Sequence, residues 1–290
     1  MNTYALAWRS HRLDLGLRTA IMGVLNVTPD SFSDGGLYLN PDQAVSRAEQ
    51  MAADGADIID VGGESTRPYA DAVDVREEMR RIIPVIKGIV RRIPLPVSVD
   101  TRKSVVAEAA LDAGAAMLND ISALRHDRGM ARLAARYAVP VVIMHMQGTP
   151  KDMQVAPVYR DLIGEITSFL KTGIETAVRA GVPPSRIIID PGIGFGKTPA
   201  HNLGILKHLQ RFAVLDCPIL VGTSRKAFLR QLLKPSTRPG LDPLAPIVET
   251  GTQTSVAAAA LNGAHMVRVH DVAGARAALT IADAIRNAEC

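Results

Sequence analysis

Acidic and amide side chains follow several short apolar segments of the chain. Asp100 ends the segment VSVD, Asn119 and Asp120 end MLND, and Asp190 ends IIID. Carboxylate and amide groups together can pair with a ring edge that offers both donors and acceptors, such as a guanidine-like heterocycle. Two simpler roles also fit, because an aspartate often caps a following helix and two neighbouring carboxylates can act as general acid and base.

Basic and hydroxyl side chains are concentrated in two later segments. One is GTSRK at residues 222–226, and the other ends in Arg268 and His270. Basic side chains and backbone N–H groups at the start of a helix form a good site for a phosphate or another anion. The competing interpretation is a helix capped by Ser224 with basic residues on the surface.

Two longer segments combine small and charged residues. Residues 26–36 (NVTPDSFSDGG) contain Asp30 and Asp34, which is typical either of a plain turn or of a mobile loop near a metal ion. Residues 62–68 (GGESTRP) contain Arg67, which could bind a phosphate or carboxylate through two parallel hydrogen bonds or lie on the surface. One interpretation of the acidic segment is a loop that assists Mg²⁺.

A glycine-rich segment, DPGIGFGKT at residues 190–198, superficially resembles a nucleotide-binding loop. Pro191 stands where a P-loop needs a glycine, and the spacing does not match G-x-G-x-x-G, so both nucleotide interpretations are excluded. The glycines instead indicate close approach of the backbone to a flat ligand, with Phe195 as a wall. The role of Lys197 is ambiguous, and exposure to solvent is its default prediction. His145 is interpreted as structural, because no paired histidine follows at the spacing of a zinc hydrolase.

The elements that position these residues are short strands that alternate with helices. Eight apolar runs suit strands covered on both faces and lie at residues 20–25, 58–61, 97–99, 116–118, 141–144, 187–189, 219–221 and 266–269. Helical patterns cover residues 41–53, 71–92, 103–113, 127–138, 159–180, 199–212, 225–234 with 247–262, and 273–288. This alternation predicts one α/β domain over residues 1–290, a (β/α)₈ TIM barrel with its site at the C-terminal ends of the strands. A doubly wound fold fits less well, because it needs fewer strands and a nucleotide fingerprint near its first turn.

Composition narrows the class of protein. The 290 residues are 47% hydrophobic and 21% charged with a net charge of +4, which excludes disorder as the main state and suits a small anionic substrate. Only 4% of the residues are aromatic, so a platform that stacks single-stranded nucleic acid is disfavoured. The chain has two cysteines, no visible secretory signal and no apolar run of membrane-spanning length. We therefore expect a cytoplasmic protein, in a reducing compartment, with neither nucleic acid nor membrane as partner.

Together, an anion site, a polar pocket and an acidic loop indicate a phosphorylated or pyrophosphorylated heterocycle as ligand. Two long motifs then become recognisable, because residues 22–36 (MGVLNVTPDSFSDGG) and 57–68 (DIIDVGGESTRP) resemble the first two signatures of the dihydropteroate synthases. Shorter motifs follow in the order of that family: SVDT at 98–101, ND at 119–120, DPGIGFGK at 190–197, SRK at 224–226 and RVHD at 268–271. The resemblance covers about residues 19–285.

The resemblance implies a TIM-barrel transferase of folate synthesis, a cytosolic homodimer and a sulfonamide target. Its reaction joins 6-hydroxymethyl-7,8-dihydropterin pyrophosphate to 4-aminobenzoate and gives 7,8-dihydropteroate and pyrophosphate. By motif, the residues that would hold the pterin or line its slot are Asp100, Asn119, Met144, Asp190, Phe195, Gly222 and Lys226. The others are Asn26 for Mg²⁺, Arg268 and His270 for the pyrophosphate with Arg67 assisting, and Phe32, Asp34 and Thr66 on two loops that close over the site and place the benzoate. The expected catalytic group comprises Asp34, Thr66, Arg67, Asp100 and Lys226, and Thr66 is expected to contact substrate as well.

Two other functions stay open from the sequence. A methyltransferase that moves a methyl group from a methylated folate to a corrinoid protein would share the pterin-binding residues but has no need of the motifs at residues 26–36 and 66–67. A pterin-binding paralogue without turnover would retain all the motifs. One position departs from the family pattern, since Ala227 follows SRK where a serine is common. This departure affects only the expected contact of the benzoate carboxylate with the helix start near residues 224–227.

Overall fold

The computed structural model describes residues 1–28, 40–65, 73–149, 152–234 and 240–289. The chain starts with an antiparallel hairpin of β1 (Tyr4–Trp8) and β2 (His11–Leu15), which no apolar run in the sequence predicts. Trp8 is 2% exposed, and its Nε1 donates to the carbonyl oxygen of Ala116 over 2.6 Å. The hairpin therefore packs on the N-terminal end of a barrel strand, since that strand begins at Met117.

Among the described residues, eight parallel strands form the barrel that the sequence predicts. They are β3 (Ala20–Asn26), β4 (Ile58–Gly62), β5 (Val97–Asp100), β6 (Met117–Asp120), β7 (Val141–Met144), β8 (Ile187–Asp190), β9 (Leu220–Val221) and β10 (Met266–Val269). Their hydrogen-bonded order is β8-β7-β6-β5-β4-β3-β10-β9. A parallel bridge between Ile189 and Ile219 joins the two ends and closes the cylinder. The TIM barrel is thus confirmed, and every predicted run overlaps its observed strand.

Helices connect the strands, as the alternating pattern predicts. Those in the described residues are α1 (Pro41–Ala53), α2 (Val75–Arg92), α3 (Ser104–Asp112), α4 (Gly129–Tyr137), α5 (Leu162–Arg179), α6 (Pro199–Lys207), α7 (Ala227–Leu233), α8 (Pro246–Leu261) and α9 (Val272–Arg286). The predicted helix over residues 199–212 is too long, because α6 ends at Lys207 and a 3₁₀ helix, Leu209–Leu215, follows. Leu209 and Phe212 are the buried residues of that segment, and their spacing of three suits the shorter turn of a 3₁₀ helix.

The apolar side chains of the strands and helices form one large buried cluster. Leu6, Trp8 and Leu15 of the hairpin belong to this cluster together with residues of the barrel strands and the surrounding helices. Burial of this apolar surface is the main favourable contribution to folding, so the hairpin shares the core that stabilises the barrel. None of the described helices is both long and apolar enough to cross a bilayer.

The register of the sheet decides which side chains meet at the C-terminal mouth of the barrel. Gly62 pairs with Asp100, and Asp100 pairs with Asn119, so these three positions lie at one level. Asp60 pairs with Ser98 at the level two residues earlier in each strand. Because residues i and i+2 of a strand point to the same face, the carboxylate of Asp60 lies on the face of Asp100, one layer deeper.

Candidate active site

Polar residues from four strands meet at the mouth of the barrel. Asp100, Asn119 and Asp190 lie at the C-terminal ends of β5, β6 and β8, and none is more than 7% exposed. Arg268 of β10 reaches toward them, and its Nη2 donates to Oδ2 of Asp100 over 2.7 Å. Asp120 does not join them, because its carboxylate accepts hydrogen bonds from the residues of the next turn. Asp120 therefore stabilises the turn after β6, and none of these four residues caps a following helix, since the helix after β6 begins at Gly129 with Arg128 at its capping position.

A further carboxylate, Asp60, joins this group although no sequence signal marks it. Asp60 is fully buried in β4, and its Oδ2 accepts hydrogen bonds from Arg268 Nε over 2.7 Å and from Asn119 Nδ2 over 3.0 Å. One oxygen atom thus orients two side chains that the motifs assign to substrate. Within the described residues, the other oxygen of Asp60 has no hydrogen-bond partner. Asp60 lies inside an apolar run, whereas the candidate site residues are those that follow the ends of such runs. The sequence pattern therefore does not predict Asp60 as a site residue.

The glycine-rich segment packs tightly against β7. Gly192 has a φ of +71°, and a Cβ at this position would lie 1.9 Å from the carbonyl oxygen of His145. The N–H of Gly192 donates to Oδ1 of Asp190 over 2.7 Å and so fixes that carboxylate. Phe195 lies beside Lys226, whose Nζ is 3.9 Å from the centre of the ring. The segment therefore presents an aromatic face with a cation on it next to Asp190.

Lys197 is 3% exposed, so the prediction of an exposed lysine is wrong. Its ammonium lies 2.9 Å from His145 Nδ1 and donates to the carbonyl oxygen of Phe195, also over 2.9 Å. Burial lowers the pKa of Lys197 to about 7. Burial, aided by the charge of Lys197, lowers the pKa of His145 to about 2, so His145 is neutral. His145 packs edge-on against Phe169 and, with Lys197, holds the glycine-rich segment in place, which agrees with a structural role.

An apolar patch separate from the main core borders the polar residues. Its members are at most 8% exposed and are Ile121, Met144, Met146, Met153 and Phe195. Met144 pairs in register with Asp190, and Ile121 lines a cleft with Asp100. Thioether and aromatic side chains are polarizable and suit the face of a flat ring. The structure thus brings Met144 and Phe195, both expected at a ring slot, into one surface.

Burial moves the pKa values of three pocket groups toward pH 7. Desolvation raises the pKa of Asp100 to about 7, with Arg268 opposing the shift, and raises that of Asp190 to about 6. Desolvation also lowers the pKa of Lys226 to about 8, and the charge of Arg268 acts in the same direction. Several perturbed groups in one pocket are typical of a functional site. At neutral pH this pocket offers both donors and acceptors to a polar ligand.

The predicted anion site contains fewer groups than the sequence suggests. The Nε of Arg225 donates to Glu249 over 3.1 Å, so this guanidinium is engaged with α8. Ser224 does not cap α7, because Lys226 occupies the capping position, and the hydroxyl of Ser224 lies 2.9 Å from His270 Nδ1. The cap interpretation of Ser224 is therefore wrong. Its contact instead fixes the orientation of the half-buried His270 ring.

Small residues leave room around the basic and amide groups of the mouth. A Cβ at Gly222 would lie 3.7 Å from the Cβ of Arg268, so Gly222 borders that side chain directly. A Cβ at Gly62 would lie 3.7 Å from Oδ1 of Asn26 and 3.5 Å from the Cβ of Asp100. The half-buried Asn26 at the end of β3 therefore lies close to the polar residues of β5.

Comparison with known proteins identifies the family. Residues 22–270 match the family model described as pterin binding enzyme. The dihydropteroate synthase of Synechocystis sp. is 42% identical over 272 residues, which is 94% of this chain and 92% of that protein. The chain belongs to the dihydropteroate synthases. These enzymes are transferases of folate biosynthesis, so the family inferred from the two long motifs is confirmed.

Two solved dihydropteroate synthases share the fold described above. The enzyme of Xanthomonas albilineans with 4-aminobenzoic acid matches with a TM-score of 0.90 at 43% identity, covering 99% of this chain and 100% of that one. The enzyme of Yersinia pestis in a sulfonamide drug complex also has a TM-score of 0.90, at 42% identity, covering 98% of this chain and 100% of that one. These comparisons favour the synthase over the corrinoid methyltransferase.

The structure brings most of the expected synthase residues to one place. Those near each other at the barrel mouth are Asn26, Asp100, Asn119, Met144, Asp190, Phe195, Gly222, Lys226, Arg268 and His270. Asp34, Thr66 and Arg67, like Phe32, lie outside the described residues. The individual roles of all these residues stay predictions.

Proposed function

We propose that the protein joins 6-hydroxymethyl-7,8-dihydropterin pyrophosphate to 4-aminobenzoate, with 7,8-dihydropteroate and pyrophosphate as products. The observation that carries the proposal is the polar pocket in which Arg268 and Asn119 share Asp60 as acceptor and Arg268 also bonds to Asp100, beside Asp190 and Lys226. A pterin has N–H donors and ring acceptors along one edge, and this set of side chains complements both. The apolar patch beside the pocket supplies a surface for the flat face of the ring.

The pterin edge would be held by the polar groups at the strand ends of the pocket and by Lys226. Asp190, fixed by the N–H of Gly192, would accept hydrogen bonds from N–H groups of the amino-pyrimidine ring. Lys226 would donate to a ring acceptor, and Asn119 would supply both a donor and an acceptor. Phe195 would cover one face of the ring, because it already lies beside Lys226.

The chemical step is a displacement at the methylene carbon of the pterin. The bond between that carbon and the pyrophosphate oxygen breaks, and its electron pair leaves with the pyrophosphate. Arg268 and His270 would stabilise the negative charge of the leaving group, since groups already oriented in the protein need little reorganisation. The amino nitrogen of 4-aminobenzoate forms the new C–N bond and then loses one proton to solvent or to the departing pyrophosphate. Asp100 would stabilise the positive charge that develops near the ring.

The residues of the mouth fit a Mg²⁺ ion that arrives with the pyrophosphate. Mg²⁺ keeps several water ligands and commonly uses few protein oxygens together with substrate phosphates. Asn26 offers one amide oxygen near the pocket, and the described residues contain no group of three acidic, histidine or cysteine side chains that could cage a metal. When bound, Mg²⁺ would neutralise charge on the phosphate oxygens of the leaving group.

The finer features of the proposal depend on the resemblance to the family. Arg67 would assist in holding the pyrophosphate, while Phe32, Asp34 and Thr66 would close over the site and place the benzoate, whose carboxylate would lie near the start of α7. Sulfonamides would compete at that place, because the Yersinia pestis relative forms a complex with such a drug. We further propose that residues 1–290 form one domain, a proposal supported by the hairpin that shares the barrel core. The resemblance to the family is the ground on which we also propose a cytoplasmic homodimer.

A pyrophosphate-release assay tests the proposed function. Purified protein is incubated with dihydropterin pyrophosphate, 4-aminobenzoate and Mg²⁺, and pyrophosphate and dihydropteroate are measured together. We expect equimolar products, and no pyrophosphate when 4-aminobenzoate is omitted. Asp190→Ala serves as the inactive control, because it removes the fixed carboxylate of the pocket. A folded protein that binds the pterin substrate but releases no pyrophosphate would be a paralogue without turnover, and the proposal would then be wrong.

A further inference from the structure

The glycine-rich segment of residues 192–196 lies outside any strand, and side chains that precede and follow it in the chain hold its backbone. Three of its successive carbonyl oxygens each accept a hydrogen bond from a different side chain. The pairs are Gln154 Nε2 with Gly194 over 2.6 Å, Lys197 Nζ with Phe195 over 2.9 Å and the Tyr159 hydroxyl with Gly196 over 2.8 Å. The path of this segment therefore depends on side-chain contacts and not on a sheet.

Lys197 differs from the other two donors in its burial. It is 3% exposed, whereas Gln154 and Tyr159 are half-buried. Its second contact is Nδ1 of the neutral His145, so both of its acceptors are uncharged. Removing an amino group from water is costly, and hydrogen bonds to neutral acceptors return little net stability. We therefore expect Lys197 to contribute to the position of Phe195 more than to the stability of the fold.

The contact of Lys197 with Phe195 does not depend on the charge of the amino group. An ammonium and a neutral amine both have N–H donors, so either form can donate to the carbonyl oxygen of Phe195. An apolar replacement removes the donor altogether. The loss of the contact is therefore open to test by substitution at any pH where the protein is folded.

The same segment also fixes the side chain of Lys226. The Nζ of Lys226 lies 3.9 Å from the centre of the Phe195 ring. A Cβ at Gly194 would lie 3.0 Å from Cδ of Lys226, so the backbone of the preceding residue packs against the same side chain. A displacement of Phe195 would therefore move both the aromatic wall of the pocket and the cation that lies on it.

We propose that Lys197 is a positioning residue for the pterin substrate, which fixes the ring of Phe195 and, through that ring, the Nζ of Lys226. The proposal rests on the proposed function for the identity of the ligand, whereas the contacts that support it all lie within the described residues. Lys197 acts through Phe195 and not on the reacting atoms. Its loss should therefore weaken binding of the ring and leave the chemical step nearly unchanged.

The decisive variant is Lys197→Leu, which replaces the donor by an apolar side chain of similar volume. We expect the Kd of dihydropterin pyrophosphate, measured by calorimetry, to rise about five- to tenfold, because the Phe195 carbonyl loses its partner and the ring is less well fixed. The KM for this substrate should rise by a similar factor, while kcat changes by less than about twofold. A fall in kcat as large as the loss of affinity would contradict the positioning role.

Two matched controls separate this role from general effects. Tyr159→Phe removes the hydrogen bond to the next carbonyl oxygen of the segment, that of Gly196, and should change the pterin Kd by less than about twofold. Lys207→Leu makes the same chemical change at an exposed lysine in the last turn of α6 and should leave the Kd unchanged. An equal loss of affinity in Tyr159→Phe and Lys197→Leu would mean that the whole segment has loosened, and the proposal would be wrong.

Methyl NMR of ¹³C-labelled methionine reports the position of Phe195 without turnover. Met144, Met146 and Met153 share the apolar patch with Phe195, so a displaced ring changes the ring-current shifts of their methyl groups. We expect these three signals to move in Lys197→Leu by more than they do in Lys207→Leu. The signal of Met51, which belongs to the main core, should stay in place.

The combined results decide between the outcomes. Unchanged patch signals, or an unchanged pterin Kd, in a folded Lys197→Leu protein would overturn the proposal. If Lys197→Leu does not fold, Lys197→Gln takes its place, because its amide is shorter by one bond and cannot reach both acceptors. Shifted patch signals in a protein whose parent binds no pterin substrate would support the positioning of Phe195 and refute only the proposed function.

Discussion

Asp60 offers the sharpest test of how the pocket is organised. The change is Asp60→Asn, which preserves the shape of the side chain and removes its charge. Because Oδ1 of Asp60 has no partner among the described residues, the new amide can direct its NH₂ there and keep its oxygen toward Arg268 and Asn119. The hydrogen bonds therefore survive with a neutral acceptor in place of a carboxylate, and the variant isolates the role of the Asp60 charge.

The magnitude follows from the two kinds of hydrogen bond. A bond to a charged group contributes about 1.5–3 kcal/mol and a neutral one about 0.5–1.5 kcal/mol. Arg268 keeps its own charge in the variant, so its bond loses at most the difference, roughly 1–1.5 kcal/mol. That loss corresponds to a fall of about five- to tenfold in substrate affinity if Arg268 must be held in place to bind. Asp60→Ala removes the acceptor altogether and leaves a buried guanidinium with one partner, which should lower the free energy of unfolding by about 3–5 kcal/mol.

Calorimetric titration with dihydropterin pyrophosphate measures the loss of affinity, and steady-state pyrophosphate release measures the loss of turnover. Urea unfolding measures the free energy of unfolding separately, so a loss of stability is not mistaken for a loss of binding. Asp60 also has a second effect, because its negative charge is among the causes that raise the pKa of Asp100. The pKa of Asp100 should fall in Asp60→Asn, as a carboxyl ¹³C titration would show. Wild-type affinity, turnover and Asp100 titration in a folded Asp60→Asn protein would refute the view that this carboxylate positions Arg268.

Three further predictions concern ionisation, binding and stability. The pH profile of kcat/KM for the pterin substrate should be bell-shaped. Protonation of Asp100 near pH 7 and of Asp190 near pH 6 removes acceptors, and deprotonation of Lys226 above about pH 8 removes a cation, so Asp190→Asn should leave an acid limb with a single midpoint near pH 7. Lys226→Ala should weaken pterin binding about 10- to 100-fold by calorimetry, and unchanged affinity would remove Lys226 from the site. Trp8→Ala should lower the free energy of unfolding by about 3–5 kcal/mol in urea, whereas Trp8→Phe should lose only about 1 kcal/mol with the bond to Ala116.

The barrel could be predicted because its signals are local. Each parallel strand is covered on both faces, so it reads as a continuous apolar run, and the eight runs with their helices leave few other folds. The hairpin of β1 and β2 carries alternating buried and exposed residues, and its reason for forming is a distant contact, that of Trp8 with Ala116. No pattern within the first 15 residues contains that information.

The site was predictable only in part, for a related reason. Strand ends mark Asp100, Asn119 and Asp190, because loops after parallel strands gather at one mouth. Arg225 was placed in the anion site by its neighbours in the chain, yet its partner Glu249 lies 24 residues away in α8. Lys197 was expected in solvent, yet the acceptors that allow its burial include His145 of another strand end. Contacts between distant segments of the chain determine where these two side chains lie, and a single sequence does not show such contacts.

Burial also decides the ionisation of the site residues that the sequence predicts. Asp100, Asp190 and Lys226 have ordinary side chains, and only desolvation moves their pKa values to about 7, about 6 and about 8. Since a charged and a neutral form are then close in free energy, the ligand that enters can select the ionisation state that suits it. Arg268 limits this freedom at one side, because it already bonds to Asp60 and Asp100. The pocket is therefore positively charged at Arg268 and adjustable at Asp100, Asp190 and Lys226, where the pterin edge would bind.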